Sequence, residues 1–287
     1  MGMRLAAAGA VCLLAVVSAG CSGEDDKPPA AARSVQHSQP PTPAASLAPV
    51  TLPEKPGPLV ELIARQVRAT GTVYAELVAT GGHRDQKVDE KTTAQVRTSV
   101  SPPEARLTIV DRGSVDPGSV EAVVMKGAVY TRVDGQEQAP GKPWVRISRQ
   151  DAANPEIGAF AKMLTGLIDG VEKSLGEIAA DTGLALVKHG SFQGAPVAEG
   201  EVRRYSGTTP VKALGNGDPA LQALAKLGPK DIAWTLWVDA KGLPRRFQTD
   251  LSTSQGMKTR QVVTYSRWGE PVDIQAPPRD KVHTIGG

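Results

Sequence analysis

The residue of this chain best suited to covalent chemistry is Cys21, which directly follows a short apolar segment. A thiolate is a good nucleophile, and the chain contains only 2 cysteines, of which Cys12 lies inside the apolar segment itself. The small residues Ala19 and Gly20 leave room for an enzyme at the peptide bond in front of Cys21. The position of Cys21 therefore indicates a site of modification rather than a disulfide.

The segment in front of Cys21 has the features of a secretory signal peptide over residues 1–20. Arg4 supplies a positive charge, and Leu5 to Ala19 is almost wholly apolar or small. Its length of about 15 residues is too short to span a bilayer, which takes roughly 20 helical residues. An ordinary signal peptide with a coincidental cysteine is the alternative.

The end of this segment resembles the lipobox, at which bacterial signal peptidase II cleaves before a lipid-modified cysteine. The match is Ser18-Ala19-Gly20-Cys21, with Ser18 in place of the usual leucine. The resemblance implies a diacylglyceryl thioether and an N-acyl chain on Cys21. Two or more acyl chains hold a protein stably, because each buried CH₂ contributes about 0.8 kcal/mol. We expect a lipid anchor at Cys21 on the extracytoplasmic face of the cell membrane.

Residues 21–58 read as a tether between this anchor and a folded domain. Pro, Ala and Ser dominate the segment, and aromatic residues are absent from it. Such a composition buries too little apolar surface to offset the entropy of ordering the chain. The sequence therefore predicts a disordered spacer that lifts the domain off the membrane.

Outside Cys21 the sequence shows no catalytic or metal-binding pattern. Ser191 lacks the Gly-x-Ser-x-Gly context of a nucleophile elbow. No histidine has a metal-ligand spacing such as His-x-x-x-His; the four are His37, His83, His189 and His283. A formal net charge of +3 without a long basic run argues against nucleic acid as a partner. We expect no enzyme activity, no metal and no cofactor; the oligomeric state stays open.

The folded domain is predicted over residues 59–282, with a tail at 283–287. A helix with apolar residues from Leu59 to Val67 ends at Gly71, and about six strands with period-two patterning follow up to "PWVRISR". A second helix is predicted from Asn154, and further short helices are predicted from 174 and from 218. Strands are predicted near "LALVKHGSF" and "VRRYSGTT", and three more antiparallel strands over 231–274.

This order of elements predicts an α+β fold, in which helices pack on the concave face of a strongly curved antiparallel β half-barrel. Together with Trp237-Val238-Asp239, Gly242-Leu243-Pro244 and Gly269-x-Pro271-Val272, the order resembles the LppX/LprAFG-type actinobacterial lipoproteins, which share the LolA/LolB half-barrel. The resemblance implies an envelope lipoprotein, and several such proteins hold lipids or glycolipids between sheet and helices. It supplies no catalytic residues.

The second predicted helix carries one apolar stripe, which would face the sheet across a hydrophobic cavity. The candidate lining residues are Ile157, Phe160, Leu164, Leu167 and Ile168 on this helix, and Trp234, Leu236, Phe247 and Leu251 on the sheet. Aromatic residues make up only 4% of the chain, so few large rigid groups are available to fill the space. Two functions follow: a module that binds or transfers a lipid or acylated molecule, or a structural lipoprotein with a filled core that recruits another envelope protein.

The variant Cys21→Ala is expected to abolish membrane anchoring, because it removes the thiol that would be acylated. Metabolic labelling with a fatty-acid analogue, followed by membrane fractionation, measures this. A variant that labels and fractionates like the wild type would show that the chain is not a lipoprotein.

Overall fold

The computed structural model describes residues 47–83, 86–113, 117–152, 175, 181–214, 229–253 and 256–284. Cys21 and the helical residues Ile157, Phe160, Leu164, Leu167 and Ile168 lie outside the described residues, as does the predicted helix from 218.

The described strands form one open, curved sheet. They are β1 (Thr72–His83), β2 (Gln86–Arg97), β3 (Glu104–Asp111), β4 (Gly118–Met125), β5 (Ala128–Val133), β6 (Trp144–Ser148), β7 (Ser191–Phe192), β8 (Val197–Glu199), β9 (Val202–Pro210), β10 (Asp231–Asp239), β11 (Pro244–Ser252), β12 (Lys258–Ser266) and β13 (Val282–Thr284). Their order is β13-β6-β5-β4-β3-β2-β1-β12-β11-β10-β9-β7, with β8 also paired to β9. All pairings are antiparallel except that of β13 with β6.

In the described part of the chain, one α-helix precedes β1 and two lie between β6 and β7. They are α1 (Pro56–Thr70), the short α2 (Arg149–Ala152) and α3 (Asp181–His189). Gly71 ends α1 in the left-handed conformation, with φ of 75°, and donates its N–H to the carbonyl of Val67. The α+β class, the six-strand meander and the strands at the C-terminal end of the domain are confirmed.

The strand predicted near "LALVKHGSF" is wrong over most of its length. Residues 181–189 form α3, and only Ser191 and Phe192 are extended. A short apolar run does not distinguish a buried strand from a buried helix by pattern alone. A tertiary contact accompanies the helix: Thr209 Oγ1 on β9 donates a hydrogen bond of 2.6 Å to the carbonyl of Leu186.

Side chains alternate between two faces of the sheet. We call the face that carries Val73, Ala75 and Leu77 the inner face, because these side chains belong to the main hydrophobic core. The opposite face, with Tyr74 and Glu76, is the outer face. The buried residues of α1 and α3 join the same core as the inner face: Leu59, Ile63, Val67, Leu184, Leu186 and Val187.

Helix α1 lies across the end of the sheet at which β1 begins, which we call the α1 end. Thr98 Oγ1, in the turn between β2 and β3, donates to the carbonyl of Val67 over 3.1 Å. A Cβ placed on Gly242, in the turn between β10 and β11, would lie 3.2 Å from Gln66 Cγ. Because both turns lie at the same end of the strands, α1 covers that end of the core.

The predicted tether extends too far into the domain, because the chain is already packed at residues 47–55. Leu47 and Leu52 contact the main core, and Val50 donates its N–H to the carbonyl of Ala240 over 2.8 Å. Tyr205 Oη donates to the carbonyl of Pro53 over 3.0 Å. The docked segment 47–55 therefore belongs to the folded domain, which was predicted to begin only at residue 59, and α1 follows from Pro56.

The C-terminal segment crosses the outer face. Val272, Ile274 and Val282 pack against Val123 and Trp144, forming a second, smaller hydrophobic cluster. Val282 also begins β13, which extends to Thr284 and pairs with β6. The predicted tail at 283–287 therefore starts two residues too early, since His283 and Thr284 are strand residues.

We predict different results for a deletion and a replacement in the N-terminal region. Removing residues 27–46 should leave the melting temperature nearly unchanged, because their composition does not support packing. Replacing residues 47–53 with a Gly/Ser linker of equal length should lower it by several degrees. The docked segment contributes apolar burial and hydrogen bonds that are worth about 1 kcal/mol each. Thermal unfolding of both variants measures the difference; equal melting temperatures would show that the docked segment adds no stability.

Candidate functional site

One half of the inner face, on strands β9 to β12, is aromatic and is packed by protein. Trp234 Nε1 donates a hydrogen bond of 2.9 Å to Thr209 Oγ1, which in turn donates to the carbonyl of Leu186 on α3. Phe192 lies edge-on to the indole, with ring centroids 5.9 Å apart. These contacts hold α3 against the sheet and place Phe192 of β7 against Trp234.

Two glycines make this close packing possible. A Cβ on Gly207, the register partner of Trp234, would lie 2.3 Å from the indole Cζ2. A Cβ on Gly183 in α3 would lie 3.0 Å from Phe247 Cδ1. Atoms cannot approach so closely without displacement, so the rings of Trp234 and Phe247 rest on backbone that carries no side chain.

The four sheet residues proposed as cavity lining all lie in or against the main core. Trp234 and Leu236 are 2% exposed, and Phe247 is 7% exposed. Leu236 is the register partner of Phe247, and Leu251 is half-buried against the same core. The structure thus brings these four together, while their five helical counterparts lie outside the described residues. The lining role of all nine stays a prediction.

The other half of the inner face, on β1 to β4, carries five alanines among aliphatic residues such as Leu77 and Val96, and we call these five alanines the alanine floor. It consists of Ala75, Ala79, Ala94, Ala105 and Ala122, and none of these is more than 7% exposed. Ala75 is the register partner of Ala94, and Leu107 lies between Ala94 and Ala122. Alanine is depleted in strands because it contributes little to side-chain packing. Alanine side chains extend only a short way above the sheet, so they leave room for whatever covers this face.

Sequence reasoning missed the alanine floor. Each alanine occupies an inward position of its strand, and that signal was present in the sequence. Only the register between strands shows that Ala75 and Ala94 adjoin and that Ala122 follows across Leu107.

A cluster of polar residues lies on the inner face at the end opposite α1. Glu90 is the register partner of Asp111, and Thr92 Oγ1 lies 3.4 Å from Glu90 Oε1. Burial raises the pKa of Glu90, and the neighbouring negative charge of Asp111 raises it further, while the hydroxyl of Thr92 acts in the opposite direction. The inner face therefore changes from apolar to acidic along β2 and β3.

The outer face has a shallow, open groove of about 550 Å³ across β12, β1, β2 and β3. Tyr74, Gln95 and Ser266 are among its lining residues, and Arg267 stacks on the Tyr74 ring with its guanidinium carbon 3.8 Å from the centroid. The charges in the groove are paired: Lys91 Nζ lies 2.8 Å from Glu76 Oε2, and Arg106 Nε donates to Glu121 over 2.9 Å. This groove suits a polar partner better than an acyl chain.

No group of three or more metal-ligating side chains occurs within the part of the chain that the structure describes. Likewise, no helix among the described residues is long and apolar enough to cross a membrane.

Comparison with solved structures finds the proteins that the sequence pattern resembles. The fold is similar to that of LprF from Mycobacterium bovis, with 16% identity over 77% of this chain and 96% of that one, at a TM-score of 0.45. It is also similar to the lipoprotein LppX of Mycobacterium tuberculosis, with 17% identity over 76% and 98% of the two chains and a TM-score of 0.41. Both names belong to the LppX/LprAFG group that the sequence resembles.

A third similar structure is a putative outer membrane lipoprotein-sorting protein domain from Vibrio parahaemolyticus. It shares 10% identity over 72% of this chain and 90% of that one, with a TM-score of 0.24. No family model matches the chain, and no curated protein matches it.

The variant Glu90→Gln is expected to raise the melting temperature at pH 7. The raised pKa means that the folded state disfavours the ionised carboxylate, so this destabilisation appears as the pH rises above the unfolded-state pKa. The amide keeps the shape of the side chain without the charge. The stability difference should vanish in acid, below the unfolded-state pKa, where Glu90 is protonated in both states. Thermal unfolding of both proteins across this pH range measures it; an equal difference at every pH would contradict the account.

Proposed function

We propose that this chain is a membrane-anchored envelope lipoprotein that binds or transfers a lipid or acylated molecule above the alanine floor. Cys21 carries the anchor on the extracytoplasmic face of the membrane, and the segment that follows it is the tether. The protein acts by binding and not by catalysis, with no cofactor. In this proposal the helices of the domain cover the inner face of the half-barrel.

The observation that carries the proposal is the contrast between the two halves of the inner face. On β9 to β12 the large rings of Trp234 and Phe247 fill the space against α3. On β1 to β4 there is no ring among the buried inward residues, which include five alanines and aliphatic side chains such as Leu77, Val96 and Leu107. Shielding a chain of about 16 carbons from water would contribute up to roughly 12 kcal/mol, at about 0.8 kcal/mol per CH₂. A deep covered face can collect that energy, whereas a shallow groove cannot.

The polar end of the inner face supports the same proposal. An acylated molecule has an apolar chain and a polar head, and it needs both environments along one path. The alanine floor provides the first, and at the end away from α1 Glu90 lies directly beside Ala79, with Thr92 on the same strand. We propose that the acyl chain lies on the alanine floor and that the head group lies near these polar residues.

A second candidate function is recruitment of another envelope protein by the outer face. The groove beside Tyr74 favours it, because Gln95, Thr93 and Ser266 present hydrogen-bonding groups across neighbouring strands. In that case the inner face would be a filled core without a ligand.

The variant Ala94→Leu tests the proposal in the middle of the alanine floor. Leucine would occupy the space of the acyl chain, so binding of a fluorescent acyl probe should fall at least about ten-fold, with little loss of stability. In a filled core the same change would overpack and cost about 1–3 kcal/mol. Probe titration and thermal unfolding are measured on the same protein.

Thr93→Leu is the matched control, because Thr93 is the neighbouring residue on β2 and faces the outer groove. It should leave probe binding unchanged. Unchanged probe binding by Ala94→Leu, together with a clear fall in melting temperature, would refute the cavity and favour the second function.

A further inference from the structure

The point at which the chain enters the folded domain lies at the α1 end. Val50 is hydrogen-bonded to Ala240 in the turn between β10 and β11, and a Cβ on Gly242 in the same turn would lie 3.2 Å from Val50 Cγ2. Any anchor attached at Cys21 therefore holds the domain by this end. Residues 22–46 connect Cys21 to the docked segment, and a flexible coil of that length has an average reach of about 25–30 Å.

The surface around this entry point is basic. The exposed side of α1 carries Arg65 and Arg68, spaced one helical turn apart, with Glu61 one turn before them. Their side of the helix is opposite to Leu59, Ile63 and Val67, which face the core. The helix therefore presents its charged stripe away from the sheet.

Two further lysines lie beside α1. Lys55 immediately precedes α1, and Lys241 lies in the turn that contacts the helix, and both are exposed. We call Lys55, Arg65, Arg68 and Lys241 the basic patch. None of the four forms an ion pair with a described residue, whereas the nearby carboxylates of Asp239 and Glu54 are already bound to Arg245 and Arg203.

We propose that the basic patch is the surface by which the domain rests on an anionic lipid bilayer. The inference rests on the proposed anchor at Cys21, because the anchor brings this end of the domain within reach of head groups. Basic residues near a membrane of anionic lipids are attracted to it over about one Debye length, and several acting together give measurable binding. The consequence is an orientation: α1 lies against the membrane, and the acidic end of the inner face, at Glu90, points away from it.

Vesicle binding of the complete chain carrying Cys21→Ala tests the patch without the acyl anchor. This protein is mixed with vesicles of phosphatidylglycerol and phosphatidylcholine in equal parts, or of phosphatidylcholine alone, and the sedimented fraction gives the partition coefficient. We expect binding only to the anionic vesicles, and loss of that binding at high salt. Adding Arg65→Glu, Arg68→Glu and Lys241→Glu should lower the partition coefficient at least about ten-fold.

The matched control is Lys212→Glu, Lys230→Glu and Lys258→Glu, which makes the same change in net charge at the opposite end of the sheet. These lysines are exposed and form no ion pair with a described residue. The control should retain most of the binding, and thermal unfolding verifies that both triple variants fold. Equal losses in the two triple variants, or no binding by the parent protein, would overturn the proposal. Failure of the Cys21 anchor would appear instead as absent fatty-acid labelling, independently of this result.

Discussion

In a β-strand, successive side chains point to opposite faces, so a single open sheet has to satisfy each face with a different partner. Here the alternation runs without interruption through β1, where Val73, Ala75 and Leu77 are buried and Tyr74 and Glu76 face outward. On the outer face, ion pairs and a crossing C-terminal segment provide those partners. On the inner face, α1 and α3 contribute their apolar sides to a common core. The proposed binding site depends on this division, because only a covered face can hold an acyl chain out of water.

The inner face is not uniform, and the difference between its halves has a local cause. Around Trp234, glycine at position 207 lets the indole lie close to the neighbouring strand, to which the hydrogen bond to Thr209 also ties it. Such packing leaves no depth. Across β1 to β4, five inward positions hold alanine beside aliphatic residues such as Val96 and Leu107, and none of the buried inward residues of these strands carries a ring. The sheet therefore combines an aromatic half, which packs against α3, with a half whose inward apolar residues are alanine, valine and leucine.

Much of this fold could be predicted from the sequence, because strands with one covered face show a period of two residues and their turns are marked by glycine, as at Gly127 and Gly242. The prediction failed where local pattern and tertiary contact disagree. Residues 181–189 are apolar enough for either a strand or a helix. Residues 47–55 have the composition of a linker, but they form hydrogen bonds with Ala240 and Tyr205, far away in the chain.

The candidate site was predicted only in part, for a similar reason. Large apolar residues such as Trp234 and Phe247 attract attention in a sequence, and they were correctly placed on the inner face. Their contacts with Phe192 and Gly183 depend on elements that the pattern did not define. The alanines were overlooked because each one is unremarkable alone. Their meaning comes from the pairing of Ala75 with Ala94 and of Leu107 with Ala122, which requires the register.

The central claim is that the inner face holds an acylated molecule, and native mass spectrometry of the secreted Cys21→Ala protein tests it most directly. This chain carries no acyl group of its own at position 21, so any lipid mass found with it is bound non-covalently. The account predicts a complex heavier than the polypeptide by the mass of one acylated molecule, which organic solvent releases. A secreted, folded protein that shows only the mass of the polypeptide, and takes up no acyl probe afterwards, would contradict it.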